Sequence, residues 1–147
     1  MTKKNLQNNR EQIIFFIYRQ QLLHHDLKSI KIELLENNQN FSSDVINNII
    51  LLFRNKKIFI TTLNQYLKLG WHFSKLSNLE QAILLWSSYE MIILKIIPAI
   101  IINEAVLITK KYFINTEYKY INGVLQKISD DLSIISKKIN GAEDNGK

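Results

Sequence analysis

The chain has no cysteine, one proline and four glycines in 147 residues. Without cysteine there is no disulfide framework, no thiolate metal site and no thiol chemistry. That absence fits a reducing compartment, and a cytoplasmic location is the expectation. So little glycine and proline leaves few turn and strand-breaking signals. A long apolar run free of charge is also missing. The nearest approach is MIILKIIPAIIINEAVLI (91–108), which contains Lys95, Pro98, Asn103 and Glu104. A spanning helix needs about 20 predominantly apolar residues. Each charge near the bilayer centre costs roughly 2.5–3.5 kcal/mol. This segment carries charges at Lys95 and Glu104, so no membrane span is expected. The N-terminal MTKKNLQNNREQ has no adjoining apolar region with a small-residue cleavage site, because Arg19, Gln20 and Gln21 break the apolar residues after it. No signal peptide is expected.

What is present is a composition of 46% hydrophobic and 22% charged residues, that of a folded domain large enough to bury a core without staples. The formal net charge is +6. A basic excess favours polyanionic partners, nucleic acid or an anionic surface. Isoleucine, asparagine and lysine all have A/T-rich codons, so part of this basicity reflects coding composition.

Apolar residues recur at helical spacing along the chain. Ile13, Ile17 and Gln20 share a stripe with Phe16 beside them; Val45, Ile49, Leu52 and Lys56 form another. Further stripes are Phe59, Leu63, Tyr66 and Leu67; Ala82, Trp86, Tyr89 and Ile93; and Ile101, Ala105, Ile108 and Tyr112. Ile121, Leu125 and Ile128 form the last, with Leu132, Ile135 and Ile139 prolonging it. These are helix faces by their period. Ser42 or Ser43 can cap a helix with Asp44 in its first turn. Ser77 and Glu80 have capping-box spacing. Pro98 suits a helix start and Lys110-Lys111 a helix end, which makes 96–111 a central buried helix. Residues 37–40 read as a polar loop, and INGAEDNGK as a frayed tail. The expectation is an all-α bundle of six or seven helices, with one domain over 1–135 and a polar tail over 136–147.

Chemistry is sparse. His24 and His25 are adjacent, so on a helix they point about 100° apart and suit a shared metal poorly. His72 beside Trp71 reads as a packed helix-end residue. The glycines are isolated and form no phosphate loop. Asp130 and Asp131 are adjacent rather than convergent. No nucleophile, base and oxyanion donor assemble, so neither catalysis nor a cofactor or metal is expected. What remains is a set of cations interleaved with rings, Lys110-Lys111-Tyr112-Phe113 and Tyr118-Lys119-Tyr120. Single-stranded RNA is held by stacking bases on aromatics while cations neutralise phosphates. Tyr112 and Phe113 lie on apolar stripes and read as core or rim. Tyr118 and Tyr120 read equally as rim or as stacking rings.

The string IINEAVLITKKY (101–112), succeeded by NGVLQK (122–127), resembles the NusB family of transcription antitermination factors. WHFSKLSNLEQAILLWSSYEM (71–91) and REQIIFFIY (10–18) resemble two further blocks of that family in the same order and spacing. The resemblance covers roughly residues 8 to 130. It implies an all-α fold of two packed three-helix-like halves and no catalysis. It also implies binding of boxA-type single-stranded RNA of ribosomal RNA leaders, jointly with the ribosomal protein NusE. The complex would join elongating RNA polymerase and suppress premature termination.

Carried over position by position, the resemblance assigns RNA contacts to Lys3, Lys4 and Arg10 near the N-terminus. It adds Thr116, Lys119 and Tyr120 at the start of the last family helix. It assigns the NusE-facing surface to Tyr18 and Glu80, the latter also readable as a cap. Four departures stand out. The family's arginine cluster is reduced here to Arg10 with Lys3 and Lys4, and lysine lacks arginine's bidentate fork. Leu85 stands where arginine is usual, Leu107 where glutamate is usual, and Pro98 lies one residue nearer Asn103. Two other readings stay open. A similar domain opens some ribosomal RNA cytosine methyltransferases, which would require a further C-terminal domain. A helical scaffold without RNA function, self-associating as a homodimer through its isoleucine surface, is the other.

Overall fold

The computed structural model describes the backbone of residues 3–36 and 41–145, and the side chains of 9–36 and 41–141. The loop expected at 37–40 lies outside the described residues. Among those described there are eight α-helices, one short 3-10 turn and no strand. The helices are α1 (Lys3–Leu23), α2 (Leu27–Glu36), α3 (Ser43–Arg54), α4 (Lys56–Tyr66), α5 (Asn78–Ile92), α6 (Pro98–Tyr112), α7 (Glu117–Asp130) and α8 (Leu132–Asn145). The 3-10 turn, Phe73–Lys75, precedes α5. The expected all-α class holds, with more helices than the six or seven anticipated. Asp131 is the reason: it divides into α7 and α8 what the periodicity presents as one prolonged stripe from Ile121 to Ile139. No described helix is long and apolar enough to cross a membrane.

The expected helix ends are built as the local chemistry dictates. Ser42 Oγ accepts from the Val45 amide at 3.2 Å and starts α3. Ser77 and Glu80 form a reciprocal capping box on α5. Pro98 opens α6, and Lys110 and Lys111 close it against the dipole's negative end. The histidine pair joins α1 to α2. His24 takes φ 54°, the left-handed conformation that ends α1, and the His25 amide reaches back to the Gln20 carbonyl at 3.2 Å. Asp26 Oδ1 then accepts from the Ser29 amide at 2.9 Å. His72 is exposed, not packed, and caps the 3-10 turn.

The central helix is α5, not α6. Every residue from Gln81 to Ile92 is buried, because α1, α4, α6, α7 and α8 all pack around it. By contrast α6 is amphipathic. Ile101, Ala105 and Ile108 face inward, while Ile97, Ile100 and Leu107 are 62%, 48% and 44% exposed. The isoleucine run reads as uniformly apolar in sequence, but only one face of a helix can meet α5. Helix α8 carries the chain on past residue 135 to Asn145, with Ile135 and Ile139 buried. Lys95 Nζ donates to Ser136 Oγ at 2.7 Å, tying the end of α5 to α8.

Leu85 is fully enclosed on α5, at a position where the family resemblance leads one to expect arginine. Leu85→Ala should lower the unfolding free energy by about 2–5 kcal/mol, the range for truncating a buried leucine. Urea denaturation monitored by circular dichroism measures this directly; a change under about half a kcal/mol would mean the site is not packed as described.

Candidate nucleic-acid interface

Arg10 lies on the inward stripe of α1 and is 7% exposed. Its Nε and a terminal nitrogen donate to the two carboxylate oxygens of Glu90, at 2.8 and 2.9 Å. This planar, bidentate pairing is arginine's particular geometry. Burial pushes the Glu90 carboxyl above its ordinary range, Arg10 pulls it back, and the nearby Glu104 carboxylate adds to the rise. Glu104 is itself 5% exposed, and its Oε2 has no hydrogen-bond partner among the described residues. One guanidinium therefore serves a region holding two buried carboxylates. Arg10 is thus not an RNA-facing side chain, because its donors are directed into the core. Lys3 and Lys4 fall in the first turn of α1, and their side chains lie outside the described residues.

The start of α7 brings the other expected residues together, but their rings part company. Thr116 is the exposed N-cap residue, although its side chain makes no capping bond. Lys119 is exposed, with its amide bonded to the Thr116 carbonyl at 2.9 Å. Tyr120 points away from the α6 side. Its ring lies 5.4 Å from that of Trp71, tilted by 37°, and packs on the core. Burial, together with the Glu80 carboxylate, raises the Tyr120 hydroxyl above its usual range, against a lowering contact with the Lys68 main chain. Tyr120 is therefore a supporting ring rather than a free platform. The exposed member of the pair is Trp71, at 50%.

On the other side of Lys119, α6 and α7 form a groove of about 440 Å³. Ile102 and Val106 lie along it, while Asn103, Lys110, Tyr118, Lys119, Asn122 and Gln126 supply its polar groups. Lys110 Nζ sits 4.7 Å from the centre of the Tyr118 ring, a cation–π distance. The surface thus combines two ammonium groups, three side-chain amides and an aromatic face. Such a set can neutralise phosphates, stack a base and hydrogen-bond a base edge. Sequence reading singles out Lys110, Tyr118 and Lys119 but misses the three amides. A signal is available: Lys119, Asn122 and Gln126 have a three-then-four spacing, and Asn103 and Lys110 lie seven apart. A polar stripe is harder to notice than an apolar one. Asn103 reads as structural beside Glu104 and Ala105, yet it alone of the three is exposed.

The residues assigned to a protein partner lie on adjoining elements. Tyr18 is half-buried on α1, edge-on to Phe15 at 6.2 Å. Glu80 occupies the capping box, with Oε1 accepting from the Ser77 amide at 3.2 Å and the Ser77 hydroxyl at 2.8 Å. One turn past Tyr18, Gln21 accepts from Lys56 Nζ at 2.9 Å and donates to the Gln81 side chain at 2.8 Å. Gln81 in turn donates to the Phe73 carbonyl at 3.0 Å. This chain of bonds joins the Tyr18 turn, the Glu80 turn and the 3-10 turn. Among the described residues, no cluster of three or more histidine or acidic side chains could hold a metal ion.

Arg10→Met leaves Glu90 as a buried, unpaired carboxylate. At pH 7 this should cost about 3–5 kcal/mol of stability. Glu90's folded pKa is raised, so folding favours its protonated form, and any penalty for the charged form grows as pH rises through that value. Without Arg10 the rise is larger, and in the native protein acid also removes the pairing. The stability gap between the two proteins should therefore narrow on going from pH 7 to about pH 5. Parallel urea titrations at the two pH values check this. Tyr120→Ala should also destabilise, by about 1–3 kcal/mol, since it strips a packed ring; an unchanged melting temperature would show the ring to be free.

The NusB family profile matches residues 7–130 of this chain. The transcription antitermination protein NusB of Nitratiruptor sp. is 29% identical over 132 residues, spanning 88% of this chain and 94% of that protein. The protein of the same name from Fervidobacterium nodosum is 27% identical over 125 residues, spanning 83% and 88%. Among solved structures, T. maritima NusB superposes with a TM-score of 0.66 at 22% identity, covering 89% of each chain, a likeness of fold. The helical order around α5, the blocks that carry the resemblance and the span of the match agree, and the chain belongs to the NusB family.

Proposed function

We propose that this chain is a cytoplasmic transcription antitermination factor. In this reading it binds boxA-type single-stranded RNA of ribosomal RNA leaders together with NusE, within the elongating RNA polymerase complex. The reading assigns it no catalytic step. Relatives across most of its length are named for transcription antitermination. The observation that carries the RNA part is the α6–α7 groove, where Lys110, Tyr118 and Lys119 stand beside three amides. Trp71 offers a second exposed ring across Lys119. Phosphate contact then falls to lysines, since Arg10 is committed to Glu90.

Gly123 supports the same surface. It lies inside α7, one turn past Lys119, and a Cβ placed there would meet nothing within 4 Å. A helix-interior glycine costs roughly 1 kcal/mol relative to alanine. No internal contact requires it, whereas close approach of a ligand to the backbone would.

Fluorescence anisotropy with a labelled boxA-like RNA, with and without NusE, tests the reading. Affinity should fall with salt, by a logarithmic slope of about 0.7 per phosphate neutralised. Lys110→Glu with Lys119→Glu should weaken binding at least about tenfold and flatten that slope, with little change in melting temperature because both side chains are exposed. Unaltered affinity in this variant would remove the groove from the interface. Gly123→Ala should raise stability by about 0.5–1 kcal/mol while weakening RNA binding. For the partner surface, Glu80→Gln keeps a capping-box residue but removes the charge; it should stay folded and lose NusE affinity.

A further inference from the structure

Glu11 of α1 accepts from Lys111 Nζ, at 3.0 and 3.4 Å to its two oxygens, and from the Tyr112 hydroxyl. An ammonium and a hydroxyl from the last turn of α6 thus converge on one carboxylate. The Tyr112 ring is held beside α1 by Phe15, edge-on to it at 4.9 Å. Burial raises the Glu11 carboxyl, but the Tyr112 hydroxyl and Lys111 ammonium outweigh it and hold it below its ordinary range. The two donors therefore favour an anion between them. Solvent reaches both, since the Lys111 side chain is 61% exposed and Tyr112 41%. An exposed ion pair of this kind adds little to stability, so another anion can replace the carboxylate at small cost.

We infer that Lys111 Nζ and the Tyr112 hydroxyl form a phosphodiester site for RNA, held closed by Glu11 until an RNA phosphate displaces its carboxylate. This assignment rests on the RNA reading proposed above and extends that surface from the α6–α7 groove toward α1. A phosphodiester carries one negative charge over two unesterified oxygens, as a carboxylate does, and satisfies the same donors. Continuity selects RNA as its source. Lys110, the preceding residue, lines the groove. Lys4, another expected RNA contact, lies two turns before Glu11 in α1. Successive residues of a helix point about 100° apart, so Lys110 on the Tyr118 side and Lys111 on the α1 side meet different phosphates of one strand. Glu11 lowers affinity for any such strand, because a phosphate contact carries no sequence information.

Anisotropy titrations of the full chain with boxA-like RNA and with a short oligouridine, at one low salt concentration, test the site through a double-mutant cycle. Glu11→Gln removes the charge but keeps a hydrogen-bonding side chain, and should raise affinity for both RNAs by about threefold or more. Lys111→Gln should weaken native binding only slightly and cancel the Glu11→Gln gain when the two are combined. Glu36→Gln, the same charge change at an exposed position of α2, should leave affinity within about twofold. Melting temperatures should stay near the native value throughout, because the pair is exposed. The site is overturned if Glu11→Gln gives no gain, or if the gain survives Lys111→Gln or is matched by Glu36→Gln, which would make it a general charge effect. A lowered melting temperature without a gain also overturns it and leaves Glu11 as a tie between α1 and α6. Native binding of boxA-like RNA no tighter than of oligouridine would sink the boxA reading alone, with the cycle still decisive on oligouridine. If no variant binds either RNA, both readings fall.

Discussion

Enclosing a helix on every side leaves no solvent for any polar group it carries, and α5 carries a carboxylate. Glu90, with Arg10 of α1 locked against it at 2.8 and 2.9 Å, sits in the stretch Gln81–Ile92 that the other helices surround. The pair contributes little net energy compared with apolar residues of the same volume, because desolvation offsets most of its attraction. Its consequence is geometric. A bidentate contact fixes the rotation and height of α1 against α5, since any slip would leave one charge buried and unpaired. Glu104 brings α6 into the same region, so three helices take their positions around one guanidinium.

The outer surfaces result from that arrangement. With α6 and α7 both packed on α5, their outward polar stripes converge on a shared groove. The two tyrosines at the start of α7 then diverge. Tyr118 faces Lys110 and the groove, while Tyr120 turns toward Trp71. Lys119 stands between them in solvent. The Gln21–Gln81 bridge and its link to Phe73 hold the 3-10 turn beside the α5 cap, which brings Trp71 close to the α7 start.

Much of the fold is legible in residue spacing. The stripe Phe59, Leu63 and Leu67 is buried as its period implies, as are Ile101, Ala105 and Ile108. The caps at Ser42, Ser77 and Pro98 are readable because capping depends on residues within one turn. The candidate site is less legible. Positions in family-like blocks point to Arg10 and Tyr120 as RNA contacts, yet a basic or aromatic residue in sequence gives no sign of whether it faces water. Spacing places Asn122 and Gln126 on the Lys119 face and Asn103 on the Lys110 face, but that the two faces share one groove is decided only where α6 and α7 meet.

What the sequence by itself determined here is local: helical period, capped ends, the absence of thiol chemistry and a basic balance. Each depends on interactions spanning a few residues or on composition alone. Which helix became the centre, which cations face solvent and which rings stayed accessible were decided by tertiary packing. The isoleucine-rich α6 has the composition of a protein's middle, but α5, whose buried stretch includes two serines and a glutamate, took that place. The reason is that burial is a property of neighbours on all sides. Arg10 satisfies Glu90 across 80 residues of chain, a partner that only the tertiary structure brings to α5.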